Sequence, residues 1–180
     1  GSGVNEWMKR VLHFGGGSDE DEQAWFTSYL NGYKATIEDT MFGGNVISYF
    51  KNSTAPIQNA ISVSIKAYLG QGVALMTFLG HASASGGFDQ NIDHPSSWDP
   101  QNGKYPFLLG LGCFAGDIHI GNASSTSEEY IIIEDQGVIG YLSPVDLALS
   151  SSLNNFASEF YRNLAYKNYG GSVGDHIKQT

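Results

Sequence analysis

Two apolar runs in this sequence end at residues that can do chemistry. The stretch VALMTFLGHASASGG (73–87) is apolar for seven residues and then breaks at Gly80 and His81. The stretch YPFLLGLGCFAGD (105–117) breaks at glycine in the same way and places Cys113 where its strand would end. Continuous apolar runs are typical of strands buried on both faces, and ligands bind beyond the carboxyl ends of such strands in open parallel sheets. If the runs are neighbours in one sheet, the imidazole and the thiol lie on one rim.

An imidazole beside a thiol is suited to nucleophilic catalysis. A cysteine nucleophile needs a base or cationic partner within hydrogen-bond reach, and backbone N–H groups to hold the oxyanion of a tetrahedral intermediate. The glycine-rich turns after His81 and around Cys113 free backbone amides, and those of Ala82 and Cys113 itself form the natural pair. Cys113 is the only cysteine in the chain. A lone thiol is more often a small buried hydrophobe, so its position decides the matter.

Strands that alternate with helices surround these two runs. The predicted strands are 9–15, 34–40, 73–80, 106–112 and 138–143. This alternation favours a parallel sheet with right-handed crossovers, and therefore a three-layer α/β/α domain. The stretch FGGNVISYFKNSTA (42–55) does not decide between a short helix and a loop.

Caps and periodicity predict the helices. Ser18 followed by acids offers an N-cap for a helix that ends near Leu30, and Pro56 suits the first turn of a helix over 56–72. Ser125 and Glu128 have the spacing of a capping box. The segment 151–171 carries an apolar stripe on one side and ends in two glycines, and SVGDHIKQT begins a last helix.

The connection from residue 82 to residue 104 has no convincing helix. Long loops of this kind in compact domains are usually functional, and this one joins the histidine strand to the cysteine strand. We expect it to wall a substrate cleft with Phe88, His94 and Trp98. The alternative is a surface insert without a role.

Composition limits the classes of protein. With 180 residues, 41% hydrophobic and 13% aromatic, the chain has enough material for one well-cored domain over 4–180, while Gly1–Gly3 resemble an expression scar. A net charge of −9 argues against nucleic-acid binding. No apolar stretch approaches the roughly 20 residues of a membrane span, and no signal peptide is evident. A single cysteine cannot form an internal disulfide, so the cysteine content does not distinguish a cytosolic protein from a secreted one.

Other chemistries fit less well. Zinc could be held by imidazole and thiolate groups if His81, His94, Cys113 and His119 converged, but no closely spaced ligand pair exists. Neither GHASASGG nor LGCFAGD supplies both glycines of the nucleophile elbow G-x-S-x-G, and the acids of FGGGSDEDE would repel a bound phosphate. We therefore predict no metal and no cofactor.

The segments FLGHAS and FLLGLGCFAGD, followed by SEEY and GVIGYLS, resemble the catalytic subdomain of gingipain-type cysteine peptidases, which share the caspase-like fold. The resemblance runs from about Lys9 to Leu164. It implies that His81 and Cys113 form a catalytic dyad acting on a peptide or protein substrate, with the amides of Ala82 and Cys113 as the oxyanion hole. It also implies an acid that orients the histidine, for which Glu22 is the candidate. The alternative for Glu22 is an acid that simply favours a first helical turn.

The resemblance implies a setting as well. Family members are typically multidomain and exported to the cell surface or beyond, some through type IX secretion, so we expect neighbouring domains in the same chain. The sequence departs from the family at Ala82, where the turn normally reads His-Gly and a methyl group disfavours a positive φ. This departure supports an alternative: a weak or inactive caspase-like module that binds or scaffolds in a bacterial surface protein. No motif supplies an acid for a basic substrate residue.

Overall fold

The computed structural model describes residues 6–39, 41–60, 62–100, 103–121 and 124–180; Gly1–Gly3 lie outside these ranges. The strands are β1 (Arg10–Gly15), β2 (Asn45–Phe50), β3 (Gln58–Asn59), β4 (Leu75–Leu79), β5 (Ala82–Ser83), β6 (Gly87–Phe88), β7 (Gln90–Asn91), β8 (Phe107–Leu111) and β9 (Gly140–Leu142). The α-helices are α1 (Glu20–Ile37), α2 (Ser62–Gln71), α3 (Thr126–Ile131), α4 (Ser150–Arg162) and α5 (Val173–Lys178). Short 3₁₀ turns span Glu6–Lys9 and Pro95–Ser97, and a π-helical turn, Asn163–Lys167, continues α4.

A five-stranded sheet in the order β2-β1-β4-β8-β9 forms the centre of the fold. Every neighbouring pair in it is parallel. α1 and α4 pack on one face through buried side chains that include Phe26, Leu30, Phe160 and Tyr161. On the other face lie Ile65 and Leu69 of α2 and Tyr130 of α3. The predicted three-layer α/β/α class is confirmed.

The strand register decides which face the two rim residues occupy. Leu79 of β4 pairs with Leu111 of β8, and both belong to the core beneath α1 and α4. Because side chains alternate between the faces of a strand, the residues two positions further on lie on that same side. Those residues are His81 and Cys113.

One predicted strand is wrong. Residues 34–39 do not form the predicted strand, because α1 runs on to Ile37, and β2 instead occupies the undecided stretch at 45–50. Thr40, the last residue of that prediction, lies outside the described residues. The reason is the spacing of Leu30, Tyr33 and Ile37, which continues a buried helical stripe against the sheet. The other four predicted strands are present with shorter bounds.

The helix ends also differ in part from expectation. Asp19, not Ser18, is the N-cap of α1, and its carboxylate accepts from the Glu22 N–H at 2.9 Å. α2 begins at Ser62 rather than at Pro56, since β3 occupies part of the interval. The capping box of Ser125 and Glu128 is confirmed, although α3 is only six residues long.

Residues 82–100 of the long connection contain three short strands and a 3₁₀ turn, rather than the irregular loop of a surface insert. β5 and β6 form a hairpin, and β7 pairs with β3. Thr126 at the start of α3 holds the hairpin, since its N–H donates to the Ala84 carbonyl at 2.6 Å and its hydroxyl to the Ser83 carbonyl at 3.2 Å.

Trp98 does not wall a cleft, contrary to expectation. Its ring is 1% exposed and contacts the Tyr130 ring edge-on at 5.5 Å. Phe88 is also a core residue, stacked on Phe78 at 4.2 Å. These aromatic rings cover the sheet where a crossover helix would otherwise lie, and burying them is more favourable than exposing them to water.

No helix within the described ranges is long and apolar enough to cross a membrane.

Candidate active site

His81 and Cys113 line one cavity of about 160 Å³ at the carboxyl ends of β4 and β8. Its other walls are Glu22, Phe26, Leu79, Gly80, Ala148, Leu149, Ser150 and Leu153. The Cys113 sulfur lies 3.6 Å from the Ala148 carbonyl, in the loop between β9 and α4. The structure therefore brings together the imidazole and the thiol that the sequence singled out.

The turn after Cys113 is strained and is tied to the opposite wall. Phe114 has a φ of 57°, a left-handed conformation that costs a non-glycine residue on the order of 1 to 3 kcal/mol. Its N–H donates to the Asp146 carbonyl at 3.2 Å, and the Gly116 N–H donates to the Pro144 carbonyl at 2.9 Å. These bonds fix the segment 143–149 against the thiol. The positive φ of Phe114 was not predicted by any feature of the sequence.

Glu22 lies in the first turn of α1 and reaches the imidazole. Its Oε2 is 2.8 Å from the His81 Nε2. The same oxygen accepts from the Ser18 N–H at 2.9 Å and from the Ser18 hydroxyl at 2.5 Å. Partial burial raises the pKa of the Glu22 carboxyl, but hydrogen bonds from Ser18 and His81 lower it by more, to about 2. Glu22 is therefore a carboxylate at neutral pH.

This contact sets the roles of the two ring nitrogens. A carboxylate only accepts hydrogen bonds, so the Nε2 of His81 carries the proton that faces Glu22. The Nδ1 of a neutral ring is then the free base. The arrangement leaves one basic nitrogen for a neighbouring thiol.

A buried ion pair lies beneath the histidine, and the sequence analysis missed it. Lys51 follows β2, and its Nζ lies 3.4 Å from the Asp89 Oδ2, with the two side chains only 1% and 7% exposed. The Lys51 Nζ also donates to the Gly17 carbonyl at 3.0 Å. Lys51 lies within the ambiguous segment 42–55, and nothing in that segment predicted a buried cation.

The Asp89 carboxylate ties the ends of three strands together. It accepts from the Gly17 N–H at 2.7 Å, from the His81 N–H at 3.1 Å and from the Gln90 N–H at 3.0 Å. It thus links the chain after β1 and β4, and through Lys51 the chain after β2. A side chain on Gly16 would overlap this carboxylate, which is why the turn after β1 needs a glycine there.

The backbone at Ala82 differs from the expectation of a positive φ. Among the described residues only Phe114 and Asp135 combine a side chain with a positive φ, so Ala82 bears no such strain. Ala82 faces Phe88 in the hairpin, and the Asp89 N–H donates to the His81 carbonyl at 2.9 Å beside that pair. This pattern makes Ala82 and Phe88 a non-hydrogen-bonded pair, so the Ala82 N–H points away from β6.

The methyl group of Ala82 fills the space above Gly112. A Cβ added to Gly112 would lie 2.6 Å from the Ala82 Cβ and 3.1 Å from the Gly80 carbonyl oxygen. The two positions are therefore complementary, with one small residue beneath the methyl group of the other.

The remaining candidates lie elsewhere. Phe88 contributes to an open depression of about 270 Å³ on the far side of His81, although its ring belongs to the core. His94 borders a separate depression, where its Nε2 is 3.8 Å from a Glu129 carboxylate oxygen. Within the described ranges, no three His, Cys, Asp or Glu side chains are grouped closely enough to hold a metal ion. The zinc alternative considered from the sequence, with His81, His94, Cys113 and His119 as ligands, is therefore not assembled.

Comparison with known proteins assigns the chain that carries this site to a family. A family model described as peptidase family C25 matches residues 2–180, nearly the whole chain. The chain belongs to peptidase family C25. The predicted relationship to gingipain-type cysteine peptidases is thereby confirmed. None of the curated proteins matches the sequence of this C25 chain.

Two solved structures resemble the fold of the C25 chain. The Arg-specific cysteine proteinase gingipain R (RgpB) has a TM-score of 0.70 and 15% identity, covering 97% of this chain and 41% of that one. The complex of pro- and mature domains of Porphyromonas gingivalis RgpB has a TM-score of 0.65 and 16% identity, covering 91% and 38%. The present chain thus spans less than half the length of each. At this identity the likeness concerns the fold alone.

Proposed function

We propose that this C25 domain is the catalytic unit of a cysteine endopeptidase with His81 and Cys113 as its dyad. The observation that carries the proposal is the single cavity lined by the thiol, the imidazole and the carboxylate of Glu22. Glu22 acts as a positioning residue, because it holds Nε2 and leaves Nδ1 as the nitrogen that can accept the thiol proton. No cofactor is needed for this chemistry.

The reaction follows from these positions. The Nδ1 of His81 takes the proton of the Cys113 thiol, and the sulfur attacks the carbonyl carbon of the peptide bond. The imidazolium then gives that proton to the departing amine as the carbon–nitrogen bond breaks, which leaves a thioester on Cys113. A water molecule, deprotonated by His81, attacks the thioester and releases the acid and the thiol.

The backbone amides of Ala82 and Cys113 stabilise the oxyanion formed in both steps. The direction of the Ala82 N–H, away from β6, supports this role. One such donor contributes on the order of 10² to 10³ in turnover.

The setting is also part of the proposal. We infer that residues 4–180 form a single caspase-like domain of a larger, multidomain bacterial protein, exported to the cell surface or beyond by type IX secretion. Family membership and the partial coverage of RgpB support this inference. Peptide or protein substrates and neighbouring domains of the same chain are the expected partners.

The test uses the fact that the chain has one cysteine. Iodoacetamide alkylation, followed by mass spectrometry, reports on Cys113 alone. We expect His81→Ala to slow alkylation at pH 7 by about tenfold or more, and Cys113→Ala to abolish both labelling and cleavage of a broad peptide library. Equal labelling rates with and without His81, or cleavage that survives Cys113→Ala, would contradict the dyad. A binding or scaffold module would show no cleavage together with a thiol indifferent to His81.

A further inference from the structure

The cavity that holds Cys113 adjoins a larger apolar one. The second cavity has a volume of about 250 Å³ and shares Leu153 with the first. Its walls are Leu109, Leu111, Leu142, Ser143, Pro144, Ser152, Leu153 and Phe156. Both lie on the sheet face covered by α1 and α4. A peptide bond placed at the thiol therefore has an aliphatic chamber next to it.

Charge in this chamber is sparse. Glu22 is the one acidic residue in the described lining of either cavity, and it is already engaged by His81 and Ser18. A guanidinium or ammonium group entering here would lose water without gaining a carboxylate partner, which is unfavourable. An aliphatic side chain gains from the same burial.

The rim of the chamber extends the apolar surface. The segment 143–149 that is bonded to the turn after Cys113 presents Val145, Leu147 and Leu149, each at least 65% exposed. A peptide lying over the thiol would contact these side chains.

From these observations we propose that the site takes a substrate with an aliphatic residue, such as leucine, immediately before the scissile bond. This inference rests on the proposed peptidase function and specifies its substrate class. It also separates this chain from the Arg-specific proteinase whose fold it shares. The chamber, and not the Glu22–His81 pair, would make the selection.

The test uses three peptidyl acyloxymethyl ketones that differ only in the residue next to the ketone: leucine, arginine or aspartate. In each probe the Cys113 sulfur displaces the acyloxy group as a carboxylate and forms a thioether, which mass spectrometry counts. We expect the leucine probe to label at least about tenfold faster than the other two, the lower end of what apolar pockets achieve. An arginine probe that labels as fast as the leucine probe would overturn the inference.

A pair of variants on one helical turn makes the test specific. Ser151 and Ser152 are both exposed, but only Ser152 lines the chamber and Ser151 lies outside both cavities. The first turn of α4 carries no acid. An aspartate at either position meets the same favourable helix terminus. We expect Ser152→Asp to raise the rate of the arginine probe by about fivefold and Ser151→Asp to leave it unchanged. Equal effects of the two variants would also overturn the inference.

Iodoacetamide separates this inference from the proposed function. Iodoacetamide reacts with the thiol and has no side chain that would enter the chamber. An alkylation rate that depends on His81 therefore supports the dyad, whichever peptidyl probe reacts fastest. If iodoacetamide labels Cys113 while all three peptidyl probes react no faster than with a free thiol, the proposed function fails and the specificity fails with it.

Discussion

At the residue scale, the hydrogen bond between Glu22 and His81 is the contact most closely tied to the proposed catalytic dyad. We expect Glu22→Gln to lower kcat by about tenfold, because a hydrogen bond to a charged group contributes about 1.5 to 3 kcal/mol and the amide carries no charge. Glu20→Gln is the matched control, since Glu20 is exposed in the same helical turn. Steady-state kinetics on the best library peptide measures both. A kcat that is equal in the two variants would show that Glu22 only favours the helix terminus.

The pair of Lys51 and Asp89 affects stability and geometry together. Asp89→Asn leaves a buried ammonium without its carboxylate, so we expect the free energy of unfolding to fall by about 3 to 5 kcal/mol. The double variant Lys51→Met/Asp89→Asn removes both charges and should recover most of that loss. Urea unfolding at pH 7 measures it. A single variant as stable as the parent would mean that the pair contributes nothing.

The double variant also separates stability from positioning. The Asp89 carboxylate holds the N–H groups of Gly17 and His81, and the first of these leads to Ser18, which holds Glu22. An amide has one oxygen to accept these bonds where the carboxylate has two. We therefore expect the folded double variant to alkylate Cys113 more slowly than the parent. Full recovery of both stability and rate would limit the pair to a structural role.

At the scale of elements, the fit between Ala82 and Gly112 joins the ends of β4 and β8. Gly112→Ala forces two Cβ atoms to about 2.6 Å, so we expect it to destabilise the domain by about 1 to 3 kcal/mol, as overpacking does. Adding Ala82→Gly removes the opposing methyl group and should restore part of the loss, because the Gly80 carbonyl and Phe78 remain close. Thermal unfolding of Gly112→Ala, Ala82→Gly and the double variant measures the coupling between the two positions. Strictly additive losses would contradict the contact.

At the scale of the whole molecule, a buried polar network joins the sheet to the α4 layer and makes stability depend on pH. The His13 Nε2 is 2.8 Å from the Tyr161 hydroxyl, which is 2.7 Å from the Thr77 hydroxyl. Burial, with a smaller effect of the Lys34 charge, lowers the pKa of His13 from 6.5 to about 3, although a backbone hydrogen bond at Leu30 opposes the change. Folded His13 is therefore neutral where unfolded His13 binds a proton.

Because only the unfolded protein takes up this proton, the stability of the fold decreases as the pH falls. As pH falls from about 6.5 toward 3, we expect His13 to remove about 1.4 kcal/mol of stability per pH unit. His176, whose pKa burial also lowers, acts in the same direction, whereas Glu22 contributes above about pH 4.5 and loses its contribution only toward pH 2. Urea unfolding between pH 7 and 5 should show a shallower slope for His13→Gln, and an unchanged slope for the exposed His119→Gln. Identical slopes for all three proteins would contradict a buried neutral His13.

The rate of the proposed peptide cleavage is also expected to depend on the whole molecule. The chain covers 41% of one gingipain R chain, and neighbouring domains are expected to complete the substrate cleft. We therefore expect the isolated domain to react with iodoacetamide yet to cleave peptides more slowly than a longer form of the same protein. Assaying both forms and Ala82→Gly on a peptide library measures this. Vigorous cleavage by the isolated domain, abolished by Cys113→Ala, would show that the domain is sufficient.

The sequence by itself determined the elements that local signals specify. Two buried apolar runs that break at glycine located the strand ends at His81 and Cys113, because a strand buried on both faces needs an unbroken apolar run. The capping box at Ser125 could also be predicted, because it depends on two side chains only three residues apart in sequence. Residues close in sequence carried each of these signals.

Only the tertiary structure decided the contacts between residues distant in sequence. Residues 34–37 continue α1 because Tyr33 and Ile37 are buried against the sheet, and this packing overrides the local strand preference. The Lys51–Asp89 pair and the core positions of Phe88 and Trp98 likewise depend on elements folded elsewhere. The helical pattern alone placed Glu22 in a first helical turn, and the packing of α1 on the sheet brought its carboxylate to His81. Burial and pairing are properties of the assembled layers, so no local pattern of residues could specify them.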